Sequence, residues 1–112
     1  MKLESVIHEI RASISLGDYT VKSHAATHAV KEGFDRENMI EAILNGKIIE
    51  AYPDEQRFLV CGQTKLTASI MVYLHVVCEY TDSMYVDIVT AYLPDEDYWN
   101  NPPYTRRKKI KQ

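Results

Sequence analysis

Lys47-Ile48-Ile49-Glu50-Ala51-Tyr52-Pro53-Asp54-Glu55-Gln56-Arg57-Phe58-Leu59-Val60-Cys61 is where the chain changes its period. Before it, apolar residues return every three or four positions. From it onward, short apolar runs rich in β-branched and aromatic residues are divided by turn residues. Lys47–Tyr52 predicts one strand and Arg57–Cys61 the next. Pro53 to Gln56 is the turn between them, because proline fixes φ and Asp54 bonds its own backbone. The fold class rests on this switch.

Upstream, Leu3, Val6, Ile7, Ile10 and Ile14 share one face of a helix over Lys2–Leu16, and Gly17 stops it. Asp18 to Val21 is a short connector. Ser23 is the expected N-cap of a second helix ending at Glu32, with Gly33 in the left-handed position after it. Asp35 caps a third helix with Met39, Ile40, Ile43 and Leu44 toward the core, and Gly46 ends it. Downstream, Gly62–Thr67 is a polar loop and Ser69–Tyr80 a central strand. Thr81-Asp82-Ser83 is a turn, and Met84–Tyr92 a last strand. Period two places Ile88, Thr90 and Tyr92 on one face of that strand, and Asp87, Val89 and Ala91 on the other. Pro94–Pro103 is an acidic, proline-bounded loop holding the single tryptophan, Trp99. Helices first and consecutive antiparallel strands after them predict an α+β fold, with N-terminal helices packed on a four-stranded antiparallel sheet whose other face is free.

The 112 residues, 46% hydrophobic, suffice for one modest core. The expected organisation is a single domain over 1–104 and a basic, flexible tail over 105–112. No apolar run reaches the ~18–20 residues of a membrane helix. Met1-Lys2-Leu3-Glu4 opens an acid-containing amphipathic segment and not a signal peptide, so the expected compartment is the cytoplasm. Cys61 and Cys78 lie in strand-like runs and are expected as buried free thiols. Arg106, Arg107, Lys108, Lys109 and Lys111 crowd the last seven positions. Residues 1–104 keep eight basic residues against all sixteen acids, a balance of −8. Such a body does not attract a polyanion, and the tail is either an arm that does or a solvated, disordered terminus.

Lys22-Ser23-His24-Ala25-Ala26-Thr27-His28-Ala29-Val30-Lys31-Glu32-Gly33 is the stretch most suited to chemistry. His24 and His28 stand one turn apart on one helical face. Imidazole alone titrates unperturbed near neutrality, which fits a general acid or base. The alternative is a half-buried structural pair. No Glu follows His24, so the zincin pattern is missing and neither metal nor cofactor is expected. His75, inside the central strand, reads as a core histidine, and His8 has no assigned role. Thr90 is a hydroxyl in an apolar strand that needs a partner if buried. Tyr92, Tyr98, Trp99 and Tyr104 either stack unpaired bases beside the basic tail or pin a terminal loop to the domain. A Gly-rich phosphate loop, a nucleophile elbow and a CxxC pair are all missing.

Several short motifs, in order, carry a resemblance. Ser23-x-His24-Ala25 opens a helix ending in Gly33. Ala42-Ile43-x-x-Gly46-x-Ile48-Ile49-Glu50-x-Tyr52-Pro53-Asp54 follows, then Leu74-His75-Val76-Val77, then Ile88-Val89-Thr90-Ala91-Tyr92-x-Pro94-Asp95 and Trp99. From about Tyr19 to Trp99 the chain resembles the bacterial family called domain of unknown function 4258. That family looks related to the barnase–EndoU–colicin–RelE group of small ribonuclease folds. The resemblance implies a RelE- or barnase-like sheet and a metal-independent endoribonuclease, of the toxin type in a toxin–antitoxin pair. His24 would be the acid/base, His28 or Lys31 would neutralise the phosphate, and Thr90 and Tyr92 would line the site. Arg106, Arg107, Lys108 and Lys109 would hold RNA. Relatives usually carry arginine where this chain has His28, and a Glu-Arg pair where it has Lys31-Glu32. An arginine fork is the natural phosphate clamp. The rival expectation is therefore an inactive RNA- or protein-binding module that meets a cognate antitoxin or other partner through the free sheet face and the Trp99 loop. Self-association through an edge strand, Lys47–Tyr52 or Arg57–Cys61, is a further route to partners.

Overall fold

The computed structural model describes residues 2–81 and 84–108. Helix α1 (Leu3–Ser15), strand β1 (Tyr19–Val21), helices α2 (Ser23–Glu32) and α3 (Arg36–Asn45), and strand β2 (Lys47–Tyr52) follow in order. A single 3-10 turn (Pro53–Glu55) then leads into β3 (Arg57–Thr67), β4 (Ile70–Tyr80) and β5 (Val86–Tyr92). The fold is α+β, as the change of period predicts. The sheet, however, has five strands in the order β1-β5-β4-β3-β2. Strands β2 to β5 form the antiparallel meander. The connector Tyr19–Val21 adds a fifth strand, parallel to β5, pairing Tyr19 with Val86 and Val21 with Ile88. Three residues are too few to show a period, so only the neighbour reveals the strand.

The helices start and stop for local reasons. Asp35 accepts from the Asn38 amide at 3.0 Å and Asn38 accepts from the Asp35 amide at 2.9 Å, a reciprocal cap on α3. Gly33 ends α2 at φ 81°. Ser23 is not the cap of α2 but its first residue, preceded by Lys22. The Lys22 amide donates to Ile88 O at 2.9 Å, so the β1 ladder runs directly into the helix. Leu3 and Leu44, expected inward, lie exposed at the helix margins.

Strand β3 does not stop at Cys61. Residues Gly62–Thr67, read as a loop from their polarity, pair with β4 from Leu74 to Ile70. Strand β2 reaches only as far as Cys61, and α3 takes its place beyond that point. Asn45 accepts from the Gln63 amide at 3.0 Å and donates to its carbonyl at 2.8 Å. Glu41 accepts from the Lys65 amide and the Thr64 hydroxyl, and Asn38 donates to Thr64 Oγ1 and Lys65 O. These bonds need α3 against the strand. A Cβ on Gly62 would sit 1.9 Å from Ala42 O, and one on Gly46 2.4 Å from the same atom. Arg57–Cys61 is thereby an interior strand between β2 and β4, not an edge.

Phe58, Val60, Leu74, Val76, Cys78, Val86, Ile88 and Ala91 meet the helices in one core. Thr90 and Tyr92 do not share a face with Ile88. Val77 pairs with Thr90 and Cys78 with Ile88, so a bulge at Val89 resets the alternation. Thr90 and Tyr92 face away from the helical core, with their cross-strand partners Val77 and His75. The turn at Asp82-Ser83 lies outside the described residues.

Gly62→Ala should lower the urea midpoint at unchanged slope, a loss of about 2–3 kcal/mol from forced overpacking. Val30→Ala, at a residue 84% exposed, should leave the midpoint within about 0.5 kcal/mol of wild type.

Candidate functional site

Helix α2 lies along β5, with Ala25 and Ala29 buried against the sheet. Its outer stripe carries His24, which is exposed, His28, which is half-buried, and exposed Lys31. The two imidazole centroids are 4.7 Å apart with planes tilted by 50°. His28 Nδ1–H donates to Glu32 Oε2 at 3.2 Å. The other Glu32 oxygen accepts from the Leu93 amide at 2.9 Å, which fastens the carboxylate to the end of β5. With Nδ1 committed as donor, His28 Nε2 is the atom left to meet a substrate. Glu32 was missed in the sequence, although its i,i+4 spacing from His28 was the available signal. Lys22 lies at the start of the helix, 3.9 Å from Asp87.

The structure brings His24 and His28 together but joins neither Thr90 nor Tyr92 to them by a hydrogen bond or ring contact. The Tyr92 hydroxyl donates to His75 Nδ1 at 3.2 Å, and burial pushes its pKa up to about 12. His75 is fully buried. Its Nε2–H donates to Pro103 O at 2.7 Å, and its ring stands edge-on to Trp99 at 4.4 Å. It is the core histidine expected. Burial, outweighing the Pro103 carbonyl and Glu50, depresses its pKa below the usual 6.5. Both cysteines are buried free thiols, raised by burial to about 11 for Cys61 and about 12 for Cys78.

Trp99 and Pro103 belong to the segment after β5, which folds back over the face expected to be free. Trp99 is buried, Tyr73 and Tyr104 meet edge-on at 5.7 Å, and the Lys47 ammonium lies 3.9 Å from the Tyr104 ring centre. Arg106 forks onto Glu50 at 2.8 and 2.9 Å and stacks over Trp99. That hydrogen-bonded pairing holds the Glu50 carboxyl below its ordinary range, and Tyr52 donates to the same carboxylate. Arg107 donates to Trp99 O at 3.1 Å. Arg106 and Arg107, expected in a flexible RNA-binding tail, are thus bound into the fold. Lys108 is exposed, and Lys109 lies outside the described residues. Of the aromatic cluster only Tyr98 is widely exposed.

Residues 21–93 match the family model described as domain of unknown function (DUF4258). The chain belongs to this family. No curated protein and no solved structure matches it. Among the described residues no three His, Cys, Asp or Glu side chains gather as a metal site, and no helix is long and apolar enough to cross a membrane.

An unfolded chain takes up a proton on His75 near pH 6.5 while the folded DUF4258 chain resists it. Stability should therefore be full above that pH and fall as pH drops below it, by at most about 1.4 kcal/mol per pH unit. His75→Gln should flatten this slope in urea titrations. Arg106→Ala should lower the urea midpoint by about 1 kcal/mol or less and leave Trp99 emission that of a buried indole, whereas Trp99→Ala should cost about 1.5–3 kcal/mol.

Proposed function

We propose that this DUF4258 chain is a small, metal-independent endoribonuclease of RelE-like, toxin type, acting through the outer stripe of α2. The observation that carries the reading is the pair of accessible imidazoles 4.7 Å apart, one of them oriented by a carboxylate. Cleavage by internal transesterification needs a base for the 2′-hydroxyl and a proton donor near the phosphate. Two imidazoles in opposite protonation states supply both. Neutral His24 takes the 2′-hydroxyl proton, and the 2′-oxygen forms a bond to phosphorus. Protonated His28, its Nδ1–H on Glu32, presents Nε2–H to the phosphate. The P–O5′ bond breaks, and His28 passes its proton to the departing oxygen, leaving a 2′,3′-cyclic phosphate and a 5′-hydroxyl.

Lys31 stands one turn beyond His28 and adds positive charge, as a point charge and not a fork. With no arginine on this stripe, transition-state stabilisation rests on His28 and Lys31, which predicts a slow enzyme. A 2′-deoxy substrate lacks the nucleophile, so DNA is inert.

Purified protein incubated with RNA in EDTA should release cyclic-phosphate ends. His24→Ala should slow the reaction by at least about 100-fold and His28→Ala by about 10- to 100-fold. Single-site 2′-deoxy substitution should block the cut at that site. RNA left intact by wild type at every pH from acid to alkaline, with and without ribosomes, would overturn the reading and leave a binding module on the same scaffold.

A further inference from the structure

The last pair of the β4–β5 ladder is His75 with Tyr92. Beyond it β5 leaves the sheet, because Pro94 has no N–H to donate to β4, and the Leu93 amide goes to Glu32. Strand β4 continues for five more residues, Ile70–Leu74, paired with β3 on one side. Among the described residues no strand pairs with them on the other side. That edge opens on a cleft of about 220 Å³, lined by Val72 and Tyr73 of β4 and by the returning chain from Leu93 to Pro103. Neighbouring residues of a strand point to opposite faces, so a cleft touching both Val72 and Tyr73 lies at the strand's edge. The β3 side is closed by the Gln63–Tyr73 pair, so the cleft lies where β5 would have continued.

The lining has two kinds of chemistry. Leu93, Trp99 and Pro103 are apolar, and Ile70 and Met71, both about half exposed, continue the apolar track beyond the cleft. Asp95 and Glu96 supply negative charge, and no lysine or arginine lines the cleft. A polyanion is repelled there.

We propose that this cleft is a strand-addition site for an extended segment of a partner protein with alternating basic and apolar side chains. The segment pairs its backbone with the open edge of Ile70–Leu74. Its apolar side chains pack toward Leu93 and Trp99, and its cations reach Asp95 and Glu96. The site is separate from the α2 histidines and stands whether or not the chain cuts RNA.

The chain has one tryptophan, and Trp99 lines this cleft, so its emission responds to a peptide bound there. The full chain is titrated with three synthetic hexapeptides, alternating Lys-Val, alternating Glu-Val, and Lys-Val with N-methylated valines. The Lys-Val peptide should shift Trp99 emission saturably and perturb the amide resonances of Ile70–Leu74. N-methylation should weaken it about tenfold or more, and the Glu-Val peptide should not bind. Glu96→Lys should weaken the Lys-Val peptide about three- to tenfold and leave the urea midpoint unchanged. Equal response to the acidic peptide, or no response to the basic one at about 1 mM, would overturn the proposal. So would a Trp99 shift that follows the protein's own concentration and disappears on truncation after Arg107. That result would assign the cleft to a second copy of this chain.

Discussion

A sheet that is apolar on both faces must be covered on both. Phe58, Val60, Leu74 and Val76 face the helices, while Leu59, Cys61 and His75 are buried on the opposite side. The second cover is the chain after β5. Burying a large side chain such as Trp99 is worth about 1.5–3 kcal/mol. An ion pair as exposed as Arg106–Glu50 contributes about 1 kcal/mol or less. Trp99 is therefore the anchor, and the Arg106 fork sets its angle. The same need for cover turns basic residues that look like a nucleic-acid tail into structural parts.

The second cover also decides which residues a ligand can reach. Tyr92 and His75 become one hydrogen-bonded core pair under Trp99. Besides exposed His8 on α1, the reachable histidines are those of α2, whose small inner residues, Ala25 and Ala29, let the helix lie close to β5 and leave its imidazoles outside.

Glu32 is the hinge between the two regions of interest. One oxygen orients His28, and the other accepts from the Leu93 amide at the end of β5.

Much of this was legible in order along the chain. The helical repeat of Val6, Ile7, Ile10 and Ile14, the Asp35 cap, the Gly33 stop, the Lys47–Tyr52 strand and the i,i+4 histidines are local in origin, so local pattern reveals them. Other features were decided by tertiary structure. Tyr19–Val21 is a strand only because β5 is beside it, and Gly62–Thr67 is a strand because β4 pairs with it on one side while α3 supplies amides and a carboxylate to the other. Thr90 changed face because one bulged residue reverses an alternation of period two. Trp99 pins the terminal segment, one of the two roles its aromatic cluster allowed, whereas Arg106, expected in a flexible tail, is structural because polarity along the sequence does not show that a sheet's second face requires a cover. Sequence determines what each short segment prefers, and only contact between distant segments decides which of those preferences is satisfied.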